Sequence, residues 1–287
     1  MERVVEMDAL QKLKSKTSSM KVLRNLKAAF TLPLFAPCVI FMLPVALLVF
    51  LFSSPLLGQE QKPRFQYSIV PIDSLFDHAP PSKVSRLMAY YTPEMERRMN
   101  TVVGNAPKEM RAFRPQSPLS NFAADALLAV ASELTGEQID FSLTNFGGLR
   151  ASIPQGEVRL YDIYAVFPFE NALVILEMEG KGVEGLFKNF AQQNRMEAVG
   201  NVQVEIEKGK IVEMMIAGSP FDSSKRYKVA TIDFLLGGGD NVAALKNAIS
   251  VIDTGVMIRD VVVRYISMLK KEGKAVEAFV DGRIVVR

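Results

Sequence analysis

The clearest periodic signal in the chain is a stripe of apolar residues, Leu119, Phe122, Ala123, Ala126, Leu127, Val130, Ala131 and Leu134. Their i, i+3, i+4, i+7 spacing predicts an amphipathic helix, and Gly136 closes it. Upstream, Val84 to Met99 favours a helix with Pro93 in its first turn or at a kink, and TVVGNA (101–106) reads as a short strand. Downstream, IDFSLTN (139–145) predicts a strand, LYDIYAV (160–166) one helical turn, NALVILEME (171–179) a strand and VEGLFKNFAQQ (183–193) a helix. VQVEIE and IVEMMIA alternate in polarity on either side of KGK, which is a hairpin signal. YKVATIDFLL (227–236) reads as a strand running into GGGDN, and a helix is expected around VMIRDVVVRYISMLKK. AVEAFV and IVVR are expected to be terminal strands. Strands and helices intermix and some strands join by tight turns, so a mixed α/β domain is expected rather than a purely parallel sheet.

Before this body the pattern changes. Seven Lys/Arg and three acids fall in the first 27 residues, and Ala28 to Gln59 then run without a charge. Basic, then apolar, then small residues is the order of an export signal, with cleavage expected after Gly58. A start at Met20 gives the more ordinary basic region Lys21, Arg24, Lys27. The apolar run is also long enough to span a bilayer as an uncleaved anchor. Both readings take the body out of the cytoplasm, to the periplasm or cell surface, with membrane contact only through this segment. The expected organisation is 1–58 signal or anchor, 59–83 a lead-in strand (FQYSIVPI) and Pro-rich linker, and 84–287 the folded domain.

Charge and composition narrow the chemistry. Residues 59–287 hold 27 basic and 28 acidic side chains, so the net +3 of the whole chain belongs to its N-terminus and nothing indicates a nucleic-acid surface. The single cysteine, Cys38, lies in the apolar run, and the single histidine, His78, sits in DHAPPS. Disulfides, a thiolate nucleophile, a Ser-His-Asp triad and a His-rich metal centre are therefore not expected from this chain.

Three glycine motifs remain. GKGVEG (180–185) fits G-x-G-x-x-G, but the acidic Glu205 and Glu207 downstream belong to the hairpin, where a parallel βαβ unit would need the end of its next strand. It reads as a chance match in a strand–turn–helix. GGGDN (237–241) lets backbone approach a ligand, with Asp240 as acceptor for paired sugar hydroxyls; an ordinary Asx turn is the equal alternative. In NFGGLRASIPQGEV (145–158), Asn145 and Arg150 either hold an anion or form a turn with a solvated arginine.

Taken together, these motifs resemble the C-terminal domain of the 5'-nucleotidase family. The stretch NFGGLR, followed by VFPFEN (166–171), is similar to the family's N-G-G-G-I-R and V-x-P-F-x-N, and YKVATIDFLLGGGD (227–240) to its Y-x-V-A-T-x-D-F-L strand ending in G-G-D. SPLSNFAADALL looks like the family's L-G-N-L-x-A-D-A-L helix, and the resemblance runs from about Val84 to Arg287. It implies a four-layered α/β/β/α domain that recognises a nucleotide or nucleoside. By the same resemblance Phe169 and Phe234 sandwich the base, Asp240 accepts from the ribose hydroxyls, and Asn145 and Arg150 are phosphate-side groups. Relatives carry a further phosphate-binding arginine before the first helix. FRPQSPLSN offers Arg114, one position out of register, with Arg111 slightly upstream. Phe146 stands where the family has the first glycine of its triplet.

In the family the chemistry is metal-assisted hydrolysis by an N-terminal domain with Asp-x-His, Gly-Asn-His and Gly-His-x-His motifs, none of which occurs here. The expectation is the substrate-binding half of an exported 5'-nucleotidase, with no catalytic residue, metal ligand or cofactor of its own. A separately encoded metallophosphatase would supply the divalent metals. A stand-alone nucleotide-binding protein is the alternative, and an enzyme using this domain alone is disfavoured.

Overall fold

Ser82 starts the first helix, α1 (Lys83–Met99), its hydroxyl accepting the Ser85 N–H at 3.0 Å. The computed structural model describes residues 81–287 together with Ser68, Ile69 and Ser74. The expected signal or anchor, His78 and most of the lead-in strand lie outside these residues. Among the described residues no helix is long and apolar enough to cross a membrane. Residues 81–287 belong to a compact unit that runs from His78 to Arg287. Pro93 lies well inside α1, and none of the side chains of this helix is buried.

After β1 (Val102–Ala106) comes the stripe-bearing helix α2 (Pro118–Thr135). Ser117 and Ser120 cap it reciprocally, Pro118 occupies the first turn, and Gly136 ends it at φ 68°. Every stripe residue is buried except Leu134, which lies in the last turn and reaches the surface. The elements that follow are β2 (Phe141–Thr144), β3 (Gly156–Arg159), α3 (Leu160–Val166), β4 (Ala172–Glu179) and α4 (Gly180–Gln192). Next are β5 (Ala198–Gly200), the hairpin β6 (Val202–Glu207) and β7 (Lys210–Ile216), the two-residue β8 (Ser219–Pro220) and β9 (Arg226–Ile232). The chain closes with α5 (Asp233–Leu236), β10 (Ser250–Met257), α6 (Ile258–Lys271) and β11 (Ile284–Val286).

The expected mixed α/β architecture is what forms. The main sheet has five strands in the order β10-β4-β9-β2-β5, with only β2 and β9 parallel. A second sheet runs β11-β6-β7-β8, and β1 pairs with β3. β4 is buried along almost its whole length rather than alternately, because helices cover both faces of the sheet. α2, α6, α4 and α5 all contact it, and α4 also reaches β7 of the second sheet. Arg283, just before β11, ties the chain end to α2 by bonding the Asp125 carboxylate at 2.7 and 3.1 Å and Asp281 at 2.7 Å.

Two sequence expectations need correction, some strands went unread, and the reading of GKGVEG as a chance match gains a structural reason. The strand from Tyr227 ends at Ile232, where its pairing with β4 stops; Asp233 then accepts the Phe234 N–H at 2.7 Å and α5 begins. AVEAFV forms no strand: Val276 is buried and its N–H bonds Asn105 O at 3.0 Å, but the ladder goes no further. The short β3 and β5 and the exposed edge strand β10 carry too little polarity alternation to be read in advance. GKGVEG follows β4, whose neighbours β9 and β10 are both antiparallel, so no parallel βαβ unit exists there. Gly180 has a packing reason instead. A β-carbon on it would lie 2.7–2.8 Å from the carbonyl oxygens of Ser223, Asp222 and Lys225.

Candidate functional site

The sheet order creates the site. β2 and β9 run parallel as neighbours, so the segments leaving their C-terminal ends emerge at one edge. β4 is antiparallel to β9, with Leu173 opposite Ile232, so the FPFEN segment that enters β4 arrives at that same edge. β5 is antiparallel to β2, with Ala198 opposite Thr144, which brings in the residues just before Ala198. Four loops far apart in sequence thus meet.

At their centre Asn145 Nδ2 donates to Asp240 Oδ2 at 2.6 Å, across 95 positions of sequence. Asn145 is only 4% exposed, and its other amide atom, Oδ1, has no hydrogen-bond partner among the described residues. A buried acceptor left in this state costs on the order of 1–3 kcal/mol, so it is suited to receive a donor from a ligand. The adjoining glycines make the arrangement possible. A β-carbon at Gly148 would stand 2.8 Å from Asn145 Oδ1, and one at Gly147 would stand 3.3 Å from Nδ2 and 3.5 Å from Asp240 Oδ2. Asp240 has φ 50°, a left-handed conformation that Asp and Asn tolerate better than most residues, and this turns its carboxylate back toward β2.

The two aromatic candidates stand at this edge as exposed rings, Phe169 46% and Phe234 44% exposed, so neither is a core residue. The ring of Phe234 lies against Gly239, where any β-carbon would collide with it. Phe169 lines a small cleft together with Asn145, Gly148, Leu149 and Asn171. The guanidinium of Arg150 lies over the Phe169 ring, 5.9 Å from its centroid, and the backbone N–H of Arg150 bonds Val166 O at 2.9 Å.

Arg114 is near but already engaged. Its guanidinium donates to Met196 O and, at 2.7 Å, to Glu197 Oε1, and it stacks 4.5 Å from the centroid of Phe146. Phe146 replaces a glycine without closing the loop, because its ring packs on that arginine and its N–H donates to Glu197 Oε2 at 2.7 Å. Arg111 pairs instead with Glu109, 2.9 Å away on the surface. Two residues that sequence reasoning passed over complete the cluster. Arg195 lies 3.4 Å from Glu197 and 3.7 Å from Asp240, and the Glu197 side chain is 2% exposed. The only signal for them was a charged pair flanking Met196 immediately before the apolar AVG of β5.

Among the described residues no three His, Cys, Asp or Glu side chains are grouped to hold an ion. The side chains gathered at this edge are two aromatic rings, an amide, two carboxylates and three guanidinium groups.

A mixed α/β domain with a cleft at the strand ends is thus the class of protein that the fold and site define. Residues 102–247 match the family model described as 5'-nucleotidase, C-terminal domain, and the chain belongs to that family. It is 27% identical over 254 residues to the trifunctional nucleotide phosphoesterase protein YfkN of Bacillus subtilis (strain 168), covering 79% of this chain and 16% of that one. It is 31% identical over 143 residues to protein UshA of Escherichia coli (strain K12), covering 48% and 26% of the two chains. Among solved structures, the 5'-nucleotidase precursor of Thermus thermophilus superimposes with a TM-score of 0.61 at 29% identity, over 70% of this chain and 42% of that one. The chain therefore matches less than half the length of each of these relatives.

Proposed function

We propose that this domain is the nucleotide- or nucleoside-recognition half of an exported 5'-nucleotidase. Hydrolysis of the phosphate ester is supplied by a metallophosphatase partner that carries the divalent metals. The observation that carries the reading is the Asn145–Asp240 pair, with an unpartnered buried amide oxygen on one side and two solvent-exposed phenylalanine rings in the loops around it. Phe169 and Phe234 stack on the base, a contact worth about 1–3 kcal/mol per face and tolerant of base identity. Asp240 accepts from the ribose diol, and Asn145 and Arg150 serve the phosphate side. Arg114 contributes only indirectly in this arrangement, since its donors are committed to Glu197 and Met196. Two further facts support the partner and the location. The sequence has one histidine and none of the family's metal-ligand motifs, and among its similar proteins is a cell wall protein of Listeria monocytogenes, 30% identical over 190 residues.

The test is calorimetric titration of the full chain with adenosine and with its 2',3'-dideoxy analogue. Adenosine is expected to bind, and loss of the diol is expected to weaken binding at least tenfold in the wild type but little in Asp240→Ala. Equal affinity for both nucleosides in the wild type removes Asp240 from the ribose. Absence of binding by adenosine and AMP alike refutes the reading as a whole.

A further inference from the structure

The most unusual group at this edge is the Glu197 carboxylate, a buried anion on which three donors converge. Oε1 takes the Arg114 Nη2 at 2.7 Å and lies 3.4 Å from Arg195 Nε, and Oε2 takes the backbone N–H of Phe146 at 2.7 Å. Two guanidinium groups and a main-chain N–H at the start of a turn are the equipment with which proteins bind a free anion. Here a side chain of the protein itself fills that seat. The network continues from Arg195 to Asp240 Oδ1 at 3.7 Å, and from Asp240 Oδ2 to Asn145 at 2.6 Å. Along it two arginines meet two carboxylates, so its formal charge is zero. Arg150, by contrast, has no carboxylate within ion-pair distance among the described residues and stands over Phe169 instead.

The geometry points to Glu197 as a specificity-determining residue that occupies an anion subsite from within, so that the seat formed by Arg114 and Arg195 adds nothing to the binding of a ligand phosphate and Arg150 alone is left to meet it. This rests on the nucleotide- or nucleoside-binding reading above and deepens it by naming the part of the ligand, base and ribose rather than phosphate, that sets affinity. A phosphate approaching Arg114 or Arg195 must displace a carboxylate that is buried and hydrogen-bonded at both oxygens, and it feels that carboxylate's charge until it does. Adenosine, engaged by rings and diol acceptor, meets neither obstacle. Replacing the carboxylate by the isosteric amide keeps the shape, removes one negative charge and leaves both guanidinium groups without their shared ion-pair partner. With an effective dielectric near 20 at such an edge, one charge a few ångströms away changes the balance between ligands by roughly tenfold or more.

The experiment compares adenosine, AMP and inorganic phosphate on the full-length wild type, Glu197→Gln and Glu197→Ala by calorimetry, with melting curves for each. In the wild type, AMP is expected to bind no more tightly than adenosine, and phosphate not to bind. Glu197→Gln is expected to move the AMP-to-adenosine affinity ratio about tenfold toward AMP, and Glu197→Ala to gain phosphate binding at the vacated seat. Wild-type protein that binds AMP tenfold more tightly than adenosine overturns the inference, even if both variants unfold. Folded variants with an unchanged ratio and no gain of phosphate binding also overturn it. The phosphate arm separates this failure from that of the nucleoside reading, because it needs no nucleoside to bind.

Discussion

Truncating the two exposed rings separates recognition from packing. A fully buried Phe replaced by Ala costs about 3–5 kcal/mol of stability. Phe169 and Phe234 are 46% and 44% exposed, so roughly half of that, about 2 kcal/mol each, is at stake in the fold. For a domain of about 200 residues this lowers the melting temperature by roughly 4–8 °C. The loss for Phe234 also includes its contact with Gly239, beside the Asp240 turn. Binding should respond more strongly, because one stacking face is worth about 1–3 kcal/mol, or roughly five- to a hundred-and-fifty-fold in affinity. The control is Phe122→Ala on the buried face of α2, where the side chain is 1% exposed. It is expected to lose the full core penalty while the protein that remains folded binds adenosine as before. The assay is a melting curve and an adenosine titration for each variant, at a temperature where all are folded. If Phe169→Ala and Phe234→Ala bind like the wild type while Phe122→Ala does not, the rings play no part in recognition and the stacking argument fails.

Three further outcomes are expected. The purified full chain should not hydrolyse AMP with added divalent metals; turnover that a chelator abolishes and that survives repurification would refute the need for a metallophosphatase partner. Gly180→Ala should destabilise by about 2 kcal/mol or more in denaturant titration, because its β-carbon meets three carbonyl oxygens at 2.7–2.8 Å. Arg283→Met should cost about 3 kcal/mol at neutral pH by stranding Asp125 and Asp281. Burial holds the Asp125 carboxyl above its ordinary range even beside the arginine, so the protonated form is the one the fold favours, and its contribution is lost as pH rises. Melting temperatures of the variant should therefore recover as pH falls through the carboxylate range, and a monotonic loss on acidification would contradict this.

The parts of the fold legible in the sequence were those where one face of an element is buried and its ends are chemically marked. α2 shows this best: its stripe gives the face, and Ser117, Pro118 and Gly136 give the ends. The KGK hairpin was legible for a similar reason, since Lys208 and Gly209 both take the positive φ that a tight turn demands. β10 could not be read, because it is an edge strand left mostly exposed and has no alternating pattern to betray it. The break at Asp233 was hidden because a strand residue and a first-turn helix residue look alike when both follow an apolar run. In the candidate site the glycine motifs with their Asn and Asp were visible in local sequence, and the two rings only through the family resemblance of the motifs that hold them. Glu197 and Arg195 were not. They reach the site only through the pairing of β5 with β2, which is a fact of topology and leaves no local trace.

The convergence of four loops on one sheet edge has a consequence for folding as well as for binding. Asn145 and Asp240 meet only after β9 has docked beside β2, and Glu197 arrives only once β5 has closed the far side. No fragment of the chain holds the cleft in miniature, so a bound nucleoside can reward only the completed sheet. Each state in which β2, β5 or β9 has peeled away must release its ligand. A ligand present at a hundred times its dissociation constant would therefore stabilise the whole domain by about 2.7 kcal/mol. Amide hydrogen exchange in β2, β5 and β9 should slow together when it binds, as one cooperative unit clasped at its rim.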